Sequence, residues 1–163
     1  MLPTFKRAFR RSAVFLSLFA AALALAAPPA SAHTVEDAVR APAGCSWLTG
    51  GYDTLHSSPV TTSSGAVYGR VYLLWSGTYQ QNCVITLKPE GSPFHGTATW
   101  TQAELFIQPN GRYYEQGDYG HYASTRAATA GLCVAYAGTI RSAPGSSGGT
   151  VATGGRSSWG NCG

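Results

Sequence analysis

Charged side chains are scarce in this sequence of 163 residues, of which Asp, Glu, Lys and Arg together make up 11%. Four of the eleven basic residues precede residue 33, whereas all seven acidic residues follow it, so the rest of the chain has no net charge. A neutral domain without a basic cluster has little electrostatic attraction for a phosphate backbone, and we therefore expect no nucleic acid partner. The absence of net charge also removes long-range repulsion, which favours self-association at a surface.

Long hydrophobic runs are lacking after the N-terminal segment, and the run over residues 13–27 falls short of the roughly 20 residues that span a bilayer. This run follows four basic residues and precedes Pro28-Pro29 and the small-residue pattern Ala30-Ser31-Ala32. The arrangement is typical of a cleaved signal peptide. We predict a signal peptide over residues 1–32, a mature chain that begins at His33, secretion, and no membrane association after cleavage.

Closely spaced cysteine pairs, which would indicate a zinc site, are absent. The four cysteines, Cys45, Cys83, Cys133 and Cys162, lie far apart, and an even number behind a signal peptide predicts two disulfides. Sequence order favours the pairs Cys45–Cys83 and Cys133–Cys162, while the two other connectivities also remain compatible with the sequence. We expect neither a metal ion nor another cofactor.

Short segments with two-residue alternation dominate the chain from residue 45 onward, and glycine, proline and serine separate them. Strands are predicted over Val67–Trp75, Cys83–Lys88, Thr97–Gln108, Arg112–Gln116 and Leu132–Ile140. Pro109-Asn110-Gly111 predicts a tight hairpin turn between two of them. We therefore predict an all-β domain over residues 45–163, a small antiparallel β-sandwich or barrel of about 6–8 short strands with two disulfides.

The remaining segments carry weaker patterns. Residues 33–44 hold a Thr34–Asp37 capping pattern, which predicts a flexible N-terminal arm with at most one helical turn. Residues 48–64 are rich in Gly, Ser, Thr and Pro, which predicts turns and one short strand. Residues 141–155 are rich in Gly and Ser, which predicts a mobile loop.

Catalytic motifs are also lacking. His121 follows Asp118 by three residues, but no serine lies in the elbow motif that many hydrolases use. Glu104 and Glu115 flank the predicted hairpin turn, so they could lie on neighbouring strands like the paired acids of a glycosidase. Two acids across a hairpin arise easily by chance, and we predict that the protein is not an enzyme.

Aromatic residues concentrate around the predicted hairpin. Alternation places Trp100 and Phe106 on one face of a strand together with Gln102 and Glu104, and Tyr113 and Tyr114 follow on the return strand. Rings that stack on sugars beside amides that bind hydroxyl groups would make this a glycan-binding face. The alternative is that the rings fill the second side of a sandwich, as aromatic residues in β proteins commonly do. The candidate binding face comprises Trp100, Phe106, Tyr113 and Tyr114.

Several ordered segments resemble the spore-associated protein A family of actinomycetes. They are Gly69-Arg70-Val71-Tyr72-Leu73-Leu74-Trp75, Gln81-Asn82-Cys83-Val84-Ile85-Thr86-Leu87, Gly117-Asp118-Tyr119-Gly120-His121-Tyr122-Ala123, the stretch 131–140 and the terminal Asn161-Cys162-Gly163. The resemblance covers roughly residues 43–163 and includes all four cysteines. It implies a secreted protein recovered with the spore or aerial-growth surface, and it supplies no catalytic residues.

Three functions follow as expectations. The first is a non-enzymatic secreted protein that associates with the spore or cell surface. The alternative is a carbohydrate-binding β module for cell-wall glycan, and the third is a small hydrolase or an inhibitor of secreted proteases. The expected partners are the spore or cell-wall surface, through a glycan or through self-association.

Overall fold

A computed structural model describes residues 34–163 of the chain. The predicted signal peptide and the predicted mature N-terminus at His33 lie outside this range. None of the helices in this range has the length and hydropathy that crossing a membrane requires.

The described chain is almost entirely β-structure. One short helix, α1, covers Val35–Arg40 and precedes eight strands. The strands are β1 Asp53–Thr62, β2 Val67–Ser76, β3 Gln81–Leu87, β4 Thr99–Ile107, β5 Gly111–Tyr119, β6 Tyr122–Ala128, β7 Val134–Arg141 and β8 Val151–Gly160. They form one antiparallel sheet in the order β5-β4-β7-β8-β1-β2-β3-β6, which curls into a nearly closed barrel. The predicted all-β class is confirmed.

The barrel interior is filled by alternate residues of its strands. Val71 and Leu73 of β2 meet Val84 of β3, Leu105 of β4 and Ile140 of β7, and all five are fully buried. Because neighbouring residues of a strand point to opposite faces, Leu74 and Ile85 point outward. They are nevertheless buried, since α1 and Trp47 cover this side of the barrel.

The segment predicted as a flexible arm is instead packed onto the barrel. Thr34 and Asp37 form a capping box, with Thr34 Oγ1 accepting from the Asp37 amide at 3.1 Å. Ala38 and Val39 of α1 are fully buried against the outer face of β2 and β3. Arg40 donates to the carbonyl of Trp47 at 2.7 Å. Burial of an apolar sheet face stabilises a helix that would not form in isolation.

The predicted disulfide pairs, Cys45–Cys83 and Cys133–Cys162, are confirmed. Cys45–Cys83 joins the segment after α1 to β3, and both residues are fully buried. Cys133–Cys162 joins the start of β7 to the end of the chain, where Cys162 is exposed. The two disulfides indicate that the protein folds in an oxidising environment.

Four strands are longer than expected or were not predicted at all, and one of them is β5, which covers Gly111–Tyr119 where a strand over Arg112–Gln116 was predicted. β1 is a ten-residue strand where one short strand was expected, β6 was not predicted, and β8 begins at Val151, inside the predicted mobile loop. Glycine has a packing role in β8, because a Cβ atom at Gly154 would lie 2.3 Å from the carbonyl oxygen of Pro59. A composition typical of a loop therefore permits close approach of β8 to β1.

Candidate binding face

The outer side of β4 carries the predicted aromatic and amide residues. Thr101, Ala103, Leu105 and Ile107 are buried in the barrel, so the residues between them point outward. Trp100, Gln102, Glu104 and Phe106 make up this outward set, and all are half-buried. Trp100 and Phe106 therefore do not belong to the barrel interior.

The hairpin separates the two predicted tyrosines. Residues directly opposite on paired strands share a face, and Tyr114 pairs with Glu104 on the outer face. Tyr113 pairs with the inward-pointing Leu105, so it lies on the opposite face of β5. The two are almost equally exposed, at 49% for Tyr113 and 51% for Tyr114. Of the four predicted residues, the structure brings Trp100, Phe106 and Tyr114 onto one face and leaves Tyr113 on the other.

A row of neutral polar side chains crosses this face. Gln102 pairs with Gln116 of β5 on one side and with Thr139 of β7 on the other, and Thr139 pairs with Thr153 of β8. Because opposite residues share a face, the row spans four adjacent strands. Of this row, the sequence predicts only Gln102 as part of a binding face. Gln116, Thr139 and Thr153 can be aligned with it only when the strand order and register are known. We define the open face as Trp100, Gln102, Phe106, Tyr114, Gln116, Thr139 and Thr153.

Three of the charged groups around the open face are already paired within the chain. Arg112 forms an ion pair with Glu104, and its guanidinium group lies 5.1 Å from the ring centre of Tyr114. The Asp118 carboxylate accepts a hydrogen bond of 2.8 Å from the amide of Gly145. These contacts engage Arg112, Glu104 and Asp118. Arg141, which follows Thr139 on the outer side of β7, is half-buried and donates to the carbonyl of Gly148 at 3.4 Å.

The loop between β7 and β8 borders the open face at its Trp100 end. The Trp100 amide donates to the carbonyl of Ala143 at 3.2 Å, and the contact of Gly145 with Asp118 carries the loop across to β5. At the other end, β7 and β8 present the small outward residues Ala137 and Gly155, which pair with each other. The face is therefore bordered by the loop at its Trp100 end, and on the β7 side only small residues lie beside Glu104.

The two candidate acids do not face each other. Glu104 pairs with Tyr114 and points outward, whereas Glu115 pairs with the buried Ala103 and points to the other side of β5. Glu104 is bound by Arg112, and Glu115 accepts a hydrogen bond from the Tyr119 hydroxyl. They lie on neighbouring strands as expected, but they cannot flank one glycosidic bond as a catalytic pair must.

His121 lies in a separate cleft at the seam of the barrel. In the described chain β5 pairs with β4 and β6 with β3, so the consecutive strands β5 and β6 form no ladder with each other. A cleft of about 560 Å³ opens between them, lined by Glu115, Tyr119, His121, Arg126 and the segment 42–44. The hydrogen bond from Tyr119 to Glu115 raises the pKa of Tyr119 to about 12, since it favours the protonated phenol.

Lys88 is an unexpected buried cation near this seam. It is fully buried, and its ammonium group donates to the carbonyl of Thr97 at 2.8 Å, to Thr99 Oγ1 at 3.1 Å and to the carbonyl of Tyr119. Burial lowers its pKa to about 8, and the charge of Asp118 opposes this shift. Lys88 therefore links β3 to the start of β4 and the end of β5. The sequence pattern does not predict this role, because Lys88 is simply the polar residue that ends an alternating segment.

Residues 34–163 contain no group of three or more His, Cys, Asp or Glu side chains arranged to hold a metal ion. The chain matches no family model, no curated protein and no solved structure. The resemblance to the spore-associated protein A family therefore stays a prediction.

Proposed function

We propose that the protein is a secreted, non-enzymatic component of the cell or spore surface, held there by binding a neutral polysaccharide on its open face. The observation that carries this proposal is an uncovered sheet surface on which rings and neutral hydrogen-bonding side chains lie together. Trp100, Phe106 and Tyr114 supply the rings, and Gln102 and Gln116 supply the amides. The disulfide Cys45–Cys83 indicates folding in an oxidising environment. Together with the resemblance described above, it supports a location at the cell or spore surface.

The charge pattern favours a neutral ligand. An anionic polysaccharide would require several free basic groups. Arg112 is engaged by Glu104 and by the ring of Tyr114, and Arg141 is half-buried and donates to the carbonyl of Gly148. A cationic polymer would require free carboxylates, and both acids at this face are bonded. Sugar rings present apolar faces that stack on aromatic side chains and hydroxyl groups that bind amides. The wall polysaccharide backbone is a ligand of this chemistry.

The two adjacent tyrosines of β5 provide a matched experiment. Tyr114→Ala removes a ring from the open face, while Tyr113→Ala removes a ring of equal exposure from the opposite face of the same strand. We expect Tyr114→Ala to weaken the binding of soluble neutral wall oligosaccharides about tenfold, since a partly buried ring contributes more than 1 kcal/mol. Tyr113→Ala should bind within about twofold of the wild type. Isothermal titration with monovalent fragments measures both.

Two further measurements complete this test, namely the salt dependence of binding and the recovery of the oligosaccharide after binding. Binding to a neutral ligand should change little when the ionic strength rises from about 0.05 M to about 0.5 M. The oligosaccharides should be recovered intact, because Glu104 and Glu115 lie on opposite faces. Equal binding by the two tyrosine variants, a steep salt dependence or cleavage of the sugar would each contradict the proposal.

A further inference from the structure

Strand β5 is an edge of the sheet that lacks the usual protection. Edge strands are commonly kept from pairing by a bulge, a proline, a lysine or a covering segment. β5 has nine residues, and its register with β4 runs from Gly111 to Tyr119 without a shift. Its sequence contains neither proline nor lysine, and its charged residues Arg112, Glu115 and Asp118 already have partners within the chain.

The opposite edge, β6, is covered. Ser124 donates to the carbonyl of Ala43 at 3.0 Å, and Arg126 donates to the carbonyl of Gly44 at 2.8 Å. The segment that follows α1 therefore lies against β6. By contrast, every residue from Arg112 to Gln116 in β5 is exposed. The unprotected stretch lies in the first half of β5, because its second half runs into the turn at Gly120 and His121 that leads back to β6.

We infer that this stretch pairs with the same stretch of a second copy, as antiparallel strands about a two-fold axis at Tyr113. This register places Tyr113 opposite Tyr113 of the second copy, and Arg112 opposite Tyr114 of the second copy. Aromatic pairs stabilise such ladders, and an arginine already lies over this tyrosine ring within one chain. Gly111 faces Glu115, so no like charges are opposed. Centring the pairing on Glu115 would instead oppose two carboxylates and reach the turn.

The expected dimer is weak and reversible. A ladder of so few residues buries less than the roughly 1,200 Å² of a standard interface. Absence of net charge on the chain after residue 32 leaves little long-range repulsion against it. Since β4 and β5 of both copies would join one sheet, their open faces would become continuous. Self-pairing does not depend on glycan binding, and the two proposals can fail separately.

Sedimentation equilibrium of the purified protein tests the association. We expect the weight-average mass of the wild type to rise with concentration towards twice the monomer mass by about 1 mM. Tyr113→Lys places two like charges on the axis and should weaken association at least about tenfold, whereas Tyr113→Phe should preserve it. Ser157→Lys adds the same charge at an exposed position of β8 and is the control. A wild type that stays monomeric at 1 mM, or a Tyr113→Lys variant that associates equally, overturns the proposal.

Cysteine cross-linking tests the register. Tyr113→Cys should form an intermolecular disulfide at the axis, because opposite Cβ atoms of a ladder lie about 5 Å apart. Gln116→Cys is equally accessible, but in this register the two copies of residue 116 lie about 20 Å apart. Non-reducing mass spectrometry should therefore detect a dimer for Tyr113→Cys only. Equal cross-linking of both variants, or of neither, overturns the register and with it the proposed pairing.

Discussion

The barrel has two outer faces of opposite character. On β2 and β3 the outward residues Leu74, Ile85 and Leu87 are aliphatic, and α1 with Trp47 buries them completely. On β4 and its neighbours the outward residues include rings, amides and threonines, and the described part of the chain leaves these exposed or half-buried. Both faces belong to one sheet, so strand geometry does not account for the difference.

The comparison separates stability from recognition. Burial of the aliphatic face removes apolar surface from water, and this is sufficient reason for those residues to be there. Trp100 and Tyr114 bury a smaller fraction of their surface on folding than these aliphatic residues do. A group of exposed aromatic residues commonly marks an interaction site. The covered face should therefore govern the free energy of unfolding, and the open face should govern binding.

The largest expected effect is loss of the buried disulfide on the covered face. The bonds Cys45–Cys83 and Cys133–Cys162 close loops of similar length, with sequence separations of 38 and 29. Each cross-link contributes about 4 kcal/mol in the chain-entropy model. Replacing Cys45 and Cys83 by alanine also removes buried sulfur contacts, for a total loss of about 5 kcal/mol. Urea denaturation of the two double-alanine variants should show the greater loss for Cys45/Cys83, and the reverse order would contradict this comparison.

Two tryptophans provide the next test. Trp47→Ala on the covered face should lower the free energy of unfolding by about 4 kcal/mol, because Trp47 is fully buried and its ring nitrogen donates to Gln81. Trp100→Ala on the open face should lower it by only about 1–2 kcal/mol, since the ring is half-buried. Retention on isolated wall or spore material should be lost for Trp100→Ala.

Denaturation curves and co-sedimentation with wall material measure these two quantities. A Trp100→Ala variant that is folded and fully retained would exclude a binding role for this ring. A Trp100→Ala variant that loses as much free energy of unfolding as Trp47→Ala would show that Trp100 has a structural role.

The smallest effect concerns Lys88, which connects β3 beneath the covered face to β4 and β5 of the open face. Burial lowers its pKa from 10.5 to about 8, so between these pH values the unfolded chain binds a proton that the folded chain does not. The free energy of unfolding should therefore rise with pH from about 8 to about 10, by on the order of 2 kcal/mol. Above pH 10 it should fall again, because the pKa of Tyr119 is raised to about 12.

Lys88→Met supplies the control for this measurement. It removes the titrating group while it keeps a side chain of similar length, and the rise between pH 8 and pH 10 should disappear. Thermal melting of both proteins across this range is sufficient. A wild-type curve that falls steadily from pH 8 would show that Lys88 is not the group that dominates stability there.

The sequence predicted those parts of the fold in which local pattern and tertiary environment agree. Ala103, Leu105 and Ile107 alternate strictly, and they are the buried side of β4. Pro109-Asn110-Gly111 joins β4 to β5 as expected, and the cysteines pair in sequence order. The strand and the turn are predicted by residues that are neighbours in sequence. For the disulfides, four cysteines allow only three connectivities.

Other parts depended on contacts that no local pattern contains. The Gly- and Ser-rich β8 becomes a strand because β7 and β1 lie on either side of it. The arm around Ala38 and Val39 is packed because the outward face of β3 is apolar and must be covered. On the open face, the row that joins Gln102 to Thr139 exists only through the register between β4 and β7. The predicted binding face groups Tyr113 with Tyr114, although strand alternation alone indicates that the two lie on opposite faces.

The order of the disulfides along the chain bears on how the protein matures. Each bond joins a cysteine to the next one in sequence, so the two covalent loops neither overlap nor enclose each other. If the chain leaves a translocation channel with its N-terminal end first, Cys45 and Cys83 emerge together before Cys133 does. The first bond can then form among α1 and β1–β3 while the remaining strands are still in transit. Its separation of 38 residues is smaller than the 50 residues between Cys83 and Cys133, so this loop costs less entropy to close than the next non-native one. Each one-disulfide intermediate on this route contains a native cross-link, so an oxidant alone can complete the set without an isomerase to exchange wrong pairs.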